Sequence, residues 1–342
     1  MALAAPAAQP SGPPLAAPPR ETTASWPLAD RVGYWLCWAT GVGLCLIAGS
    51  IVLVMFVKGV SSLRLSLFVQ SPAPSLHQSQ AGGFLDPIVG TLIVTAIGIA
   101  IAAPMGVALA TWLSEYRRPA WLARAVESAI EMIAGVPSVV LAIFGLLLFA
   151  HGFFGFLSQS ASNGTVTGQS FLVAGVIMAL LAVPLVAGAT GEALAQLPAR
   201  TREASYALGK TRATTIRRVL LPSILPGIAS GVVLGMGRII GDTAIITILL
   251  GATLKNEPVG ELPILGTLRG TGSTLTSYVY NNSPAGEGNA PQKAYAAAFV
   301  LLMIVLALNA LVTRLTGPRA RRTDTRPRIW RLLPAGWASW SR

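Results

Sequence analysis

The sequence predicts an all-α polytopic membrane protein, and three observations carry that expectation. Of its 342 residues 53% are hydrophobic and 11% charged, whereas a soluble domain carries about 25% charged residues. Mean hydropathy is +0.63. Apolar runs recur at the length of roughly 20 residues that a helix needs to cross a hydrocarbon core of about 30 Å. The net charge of +12 collects between these runs and in the C-terminal tail, which suits loops held on one side of a membrane and argues against a nucleic-acid face.

Residues 1–31 are rich in Ala and Pro and have no apolar face. A disordered cytoplasmic tail is expected there, and the tract lacks the apolar region of a secretory signal. A transmembrane domain is expected over 32–316, with six spans near 34–57, 87–113, 137–157, 170–192, 224–250 and 292–316. Residues 317–342 form a basic tail. Before the third span, Leu122, Val126, Ile130 and Ile133 make an apolar stripe opposite Arg124, Glu127 and Glu131, the pattern of an interfacial helix that Gly135 and Pro137 end. Glu131 is expected to pair with a loop arginine, with a gating role as the alternative.

The positively charged loops set the orientation. Arg117, Arg118 and Arg124 follow the second span, six basic residues from Arg200 to Arg218 follow the fourth, and seven arginines from Arg314 to Arg331 follow the sixth. The opposite loops hold Lys58, Arg64, Lys255, Arg269 and Lys293 alone. Both termini are therefore expected in the cytoplasm.

Cys37 and Cys45 share one apolar run but sit about 12 Å apart along a helix, too far to bridge. His77 and His151 are isolated, so no metal and no cofactor is expected. Asn163-Gly164-Thr165 fits a glycosylation pattern that arises often by chance. Pro104 and Pro184 fall inside spans and are expected to kink them. Gly227, Gly231 and Gly235, then Gly237 and Gly241, recur every four residues, which suits close helix packing within the chain or against another subunit. The outer loop 254–291 is too long for a plain connection, and its Leu275–Tyr280 stretch is expected to form a short helix or strand that closes the outer mouth or meets a solute receptor.

Two stretches carry chemistry. In the loop 203–222, Ala204, Ala207 and Leu208 give a first short helix an apolar face, Gly209 supplies a residue suited to positive φ, and Ile216, Val219 and Leu220 face a second helix that Pro222 stops. Such an elbow suits docking into a partner's cleft or resting on lipid headgroups. In the fifth span, Arg238, Asp242 and Thr243 interrupt an apolar run. An ionised side chain there costs at least about 2.5–3.5 kcal/mol and turns to protein, a partner charge or water. Arg238 and Asp242 are one turn apart, so they form either a neutralised packing pair or an anion-binding guanidinium with its supporting carboxylate.

Glu203-Ala204, Gly209 and Val219-x-Leu221-Pro222, with Ser205 in the third position, resemble the EAA loop of ABC importer permeases. The resemblance implies the type I importer permease fold, and an elbow whose Glu203, Ala204, Gly209, Leu221 and Pro222 seat in an ATPase subunit. Residues 204–211 also fit a relaxed phosphate loop, but a phosphate loop follows a buried strand, and Leu194–Glu203 reads as helix. The chain is therefore read as a permease subunit and not an enzyme, with ATP hydrolysed by a partner.

Arg238-Ile239-Ile240-Gly241-Asp242-Thr243 is similar to the Arg-x-x-Gly-Glu-Thr of permeases of the phosphate-specific (Pst) importer, with Asp242 for the usual Glu. Gly82-Gly83, Pro104-Met105-Gly106-Val107, Leu113-Ser114-Glu115-Tyr116, Ala134 to Val140 and Phe144-Gly145 resemble the same family, which together covers about residues 80–316. Ser283-Pro284 and Gly286-Glu287-Gly288 resemble the PstA type, while Ile245 stands where that type is expected to carry Pro. The resemblance implies a phosphate pathway through Arg238, Asp242 and Thr243 in a bacterial inner membrane. The implied partners are a PstC-type permease, a PstB-type ATPase dimer, a PstS-type phosphate receptor, membrane lipid and inorganic phosphate, with no nucleic acid. The competing expectations are an importer of sulfate or molybdate, and a channel or structural subunit that is not coupled to ATP.

Overall fold

The computed structural model describes residues 27–72, 82–158, 166–251, 256, 263–284 and 290–316. Most of the expected N-terminal tail, the C-terminal tail, His77, Asn163, Lys255 and Gly286-Glu287-Gly288 lie outside the described residues. Among the described residues fourteen α-helices account for almost all the regular structure. They are α1 (Leu28–Ser62), α2 (Ser66–Val69), α3 (Leu85–Thr111, continued by a π-helical turn at Trp112–Tyr116), α4 (Ala120–Gly135), α5 (Ser138–Phe149), α6 (Phe171–Ala195) and α7 (Ala199–Ala207). The remainder are α8 (Arg212–Thr215, followed by a π-helical turn at Ile216–Leu220), α9 (Leu221–Ser223), α10 (Leu225–Gly241), α11 (Ala244–Leu250), α12 (Pro263–Arg269), α13 (Leu275–Asn282) and α14 (Pro291–Thr316).

The chain divides into two compact units, 1–54 and 55–342. In the first, α1 begins at Leu28, four residues ahead of the expected start of the transmembrane domain. Its apolar side chains are exposed all round, as is usual for a helix whose solvent is lipid. Edge-to-face pairs link Trp35 to Tyr34 and Trp38 near its start, and Cys37 and Cys45 are both free and exposed.

In the second unit α6 is the central post. Fourteen of its 25 residues are buried, and α3, α5, α10 and α11 pack around it in one apolar core that includes Val94, Leu141, Ile177, Met178, Ile239, Ile245 and Leu249. Glycine lets the backbones approach: a methyl group at Gly106 would meet Val186, and one at Gly175 would meet Ile97. Pro104 and Pro184 lie inside α3 and α6. A second cluster joins Leu67, Phe84, Leu275, Tyr278, Ala296, Ala297 and Val300. Burial among these side chains pushes the Tyr278 phenol up to about 12.

Among the described residues four helices are long and apolar enough to cross a membrane, or up to six if each bent pair counts as one span. The run expected to span 137–157 is α-helical only over Ser138–Phe149, about 18 Å of rise, with a 3-10 turn at Gly152–Phe154, and meets α4 at a bend of 106°. The Val136–Pro137 step explains the bend, because the residue before proline is driven to extended geometry and Val136 has ψ 131°. The expected 224–250 span also differs: it is two helices, separated at Asp242 and Thr243. The outer loop does contain a short helix at the expected stretch, α13.

Candidate functional site: a broken helix and a charged elbow

The fifth apolar run breaks where its charge lies. α10 ends at Gly241, and Asp242 takes extended geometry at φ −85° and ψ 116°. Asp242 is buried, and its Oδ1 accepts a 3.1 Å hydrogen bond from the Ile245 amide in the first turn of α11. A break leaves amides and carbonyls without helical partners, and a short acceptor side chain at a helix start supplies one. The spacing of Arg238 and Asp242 had suggested an ion pair along one continuous helix. The helix is broken there but the ion pair remains: Arg238 Nη2 stands 3.8 Å from Asp242 Oδ2, beyond hydrogen-bond range, while the other carboxylate oxygen serves as a cap.

Arg238 is 46% exposed. It belongs to a stripe of α10 that this chain leaves open, with Pro226, Ser230, Leu234, Gly237 and Gly241. The opposite stripe is closed: Gly227, Gly231 and Gly235 lie against Ala193, Ala189, Val186 and Ala182 of α6, whereas Gly237 and Gly241 meet nothing within 4 Å. The two sets of glycines thus separate into a seam within the chain and an open face. Thr243 is half-buried beside the cap, and its carbonyl accepts both the amide and the hydroxyl of Thr247.

The elbow at 199–223 is built on a core of its own, with Leu194, Ile216, Leu220 and Ile224 buried and Leu221 packed against them. Ser205 and Thr215 share a buried 2.9 Å hydroxyl contact that ties α7 to α8. Gly209 turns the chain at φ +73°, where a side chain would be strained, and Thr211 caps α8. Outward, Glu203, Ala204, Ala207, Gly209 and Pro222 are exposed, and Leu208 is exposed to 78%. An apolar side chain this bare on a turn between two helices suits contact with another surface. The 204–211 stretch follows helix α7 rather than a strand, so it lacks the geometry of a phosphate loop.

Sequence reasoning assigned no role to the residues that hold the elbow. Arg202 Nε donates to Glu115 Oε1 at 2.9 Å, and its Nη1 and Nη2 donate to the carbonyls of Leu197 and Leu194 at 3.3 and 3.0 Å. One guanidinium therefore caps the end of α6 and anchors the elbow to the turn that ends α3. Arg212 adds a 3.4 Å bond to the Glu115 carbonyl. Only the Leu113–Tyr116 motif pointed toward Glu115. Glu131 is exposed and has no ion pair among the described residues; the loop arginine Arg117 pairs with Glu127 at 3.1 Å instead. Among the described residues no group of three His, Cys, Asp or Glu side chains converges as a metal site would require.

Residues 102–323 match the model of the binding-protein-dependent transport system inner membrane component family. The chain belongs to that family. As a member it is a multi-pass inner-membrane protein and a subunit of a transport system, not an enzyme. The phosphate transport system permease protein PstC 1 of Mycobacterium tuberculosis is 33% identical over 254 residues, 70% of this chain and 74% of that protein. PstA 1 of the same organism is 32% identical over 251 residues, covering 72% and 74%. The two permease types are thus about equally similar to this family member. A solved bacterial alginate ABC transporter, in complex with an alginate-bound periplasmic protein, contains a chain that aligns with a TM-score of 0.58 at 15% identity, over 84% of this chain and 95% of that one, and it shares the fold.

Proposed function

We propose that this chain is a permease subunit of an ATP-driven phosphate importer, forms half of the anion pathway, and has both termini in the cytoplasm. The observation that carries this reading is Arg238: a guanidinium at a helix break inside an apolar run, half exposed on the open face of α10, with only a loose contact to its carboxylate. A planar fork of donors suits bidentate binding of a tetrahedral oxyanion. The relatives named for phosphate transport support phosphate over other oxyanions.

The elbow supplies the coupling. Glu203, Ala204, Gly209 and Leu208 offer an ATPase an exposed turn, while Leu221 and Arg202 carry its displacement into α6 and α10. Nucleotide-driven closure of the ATPases would push the elbow, turn α10 and change which side Arg238 faces. Receptor and ATP must each favour one state, because a ligand shifts an equilibrium only by its differential affinity. The partners are a second permease, an ATPase dimer of the PstB type and a PstS-type phosphate receptor. Within the pair this chain takes the PstA place on its Ser283-Pro284 motif.

Replacing Arg238 with Gln should lower ATP-dependent phosphate uptake by about 10- to 100-fold, the worth of a charge-assisted hydrogen bond, while the complex still assembles. Normal phosphate uptake by R238Q refutes the pathway role. Uptake of sulfate or molybdate by the wild-type complex in place of phosphate refutes the substrate. Gly209→Val should leave assembly intact and uncouple uptake from ATP hydrolysis.

A further inference from the structure

The break between α10 and α11 has two sides, and Asp242 attends to one. On the other, the carbonyl of Ile240 would accept the Ala244 amide in an unbroken helix. Ile240 is buried, and leaving its carbonyl unpaired in an apolar setting is costly. The bond comes from far along the chain: Thr276 Oγ1 of α13 donates to the Ile240 carbonyl at 2.7 Å.

α13 is held so that this hydroxyl arrives in place. Thr274 and Ser277 form a reciprocal capping box at its start. The Leu275 amide donates to Thr91 Oγ1 of α3 at 2.9 Å. The Ser273 carbonyl lies so close to Gly90 that a methyl group there would collide. On the inner side Leu275 and Tyr278 are buried, and Tyr278 meets the edge of Phe84. A small cleft lined by Thr91, Thr95, Ile239, Ile240, Thr274 and Thr276 marks the junction of α3, α10 and α13.

We propose that Thr276 is a positioning residue for Arg238: with Asp242 it clamps the break, and it fixes the turn of α10 that carries the guanidinium two residues before Ile240. This rests on the reading of Arg238 as part of the anion pathway. The clamp gives α13 a task beyond closing the outer loop, since displacing α13 releases the last turn of α10 and lets Arg238 swing. Thr276 is neither charged nor on the open face of α10.

The test compares Thr276→Val, which keeps the shape and removes the donor, with Thr276→Ser, which keeps the donor, in the assembled transporter. Hydrogen–deuterium exchange over residues 240–246 should rise severalfold in T276V and return toward wild type in T276S. The maximal rate of receptor-stimulated phosphate uptake should fall about tenfold in T276V, the rate equivalent of one hydrogen bond, with the receptor concentration for half-maximal rate unchanged. T276S should recover to within about twofold of wild type. Unchanged exchange in T276V overturns the clamp, and so does equal impairment of both variants. Should T276V fail to assemble, Thr91→Val decides, because it removes the acceptor that holds α13 to α3: raised exchange over 240–246 is expected, and wild-type exchange overturns the proposal. A wild-type complex that takes up no phosphate refutes the substrate instead; the exchange result then still judges the clamp, because it needs no substrate.

Discussion

The elbow at 199–223 and the break at 241–244 both interrupt helical chain, and they are repaired by opposite means. The elbow is held by formal charge: Arg202 gathers Glu115 and two carbonyls at the end of α6, with Arg212 adding to the same corner. The break is held chiefly by short acceptors and donors, Asp242 Oδ1 on one amide and the Thr276 hydroxyl on one carbonyl. The difference follows from surroundings. At the elbow Arg202 keeps 24% of its side chain exposed while Glu115 keeps 8%, and the cost of burying that carboxylate is offset by direct pairing that positions a surface which must carry force. Inside an apolar run, a further charge beyond Arg238 and Asp242 would be expensive, so a neutral hydroxyl satisfies the Ile240 carbonyl and the guanidinium stays open.

Removing the anchor of the elbow tests that contrast hardest. Arg202→Ala leaves the Glu115 carboxylate, 8% exposed, without its partner and strips two carbonyls. Loss of about 3 kcal/mol is expected, read as a lower melting temperature of the purified chain in detergent; a loss below about 0.5 kcal/mol would mean that the corner behaves as an ordinary surface pair.

The two faces of α10 separate next. Gly227→Leu drives a side chain into Ala193 and should cost about 1–3 kcal/mol, whereas a Cβ at Gly237 meets nothing within 4 Å, so Gly237→Leu should leave the melting of the lone chain unchanged. If Gly237→Leu then blocks formation of the transporter complex, the open stripe is a subunit seam as well as a pathway wall.

Smaller again is the cap. Asp242→Ala should cost about 1 kcal/mol, and Asp242→Asn less, since an amide oxygen still accepts from Ile245. Equal losses would return the weight to the Arg238 ion pair. The smallest effect is that of salt. Raising ionic strength should weaken the exposed Arg117–Glu127 pair and leave the break untouched; hydrogen exchange at residues 117–127 and 240–246 reads both.

Much of the elbow was legible from residue type alone. Gly209 at a helix end and two short apolar faces suffice for two helices and a turn. Pro222 does not stop the second helix as expected: it sits in the first turn of α9, the chain stays helical from Arg212 to Ser223, and the bend comes only before Leu225. The assignment of those faces was only half legible, because Ile216 and Leu220 went to an inner core while Ala204, Ala207 and Leu208 stayed bare. Nothing local distinguishes a face that finds a partner in its own chain from one that waits for another protein. The glycines of α10 show the same limit: their spacing marks two stripes, but α6 decides which one is closed.

The sequence by itself determined the membrane class, the apolar helices, the place of the elbow and the residues that bring charge into the fifth run. Tertiary structure decided that this run breaks at Asp242, that Arg202 reaches Glu115 across 87 positions, and that Thr276 closes the break from 36 positions beyond Ile240. The physical reason is that an aspartate four residues after an arginine fits an ion pair on a helix and a cap on a new one equally well. The choice falls to whichever distant side chains can satisfy the backbone groups that a break sets free.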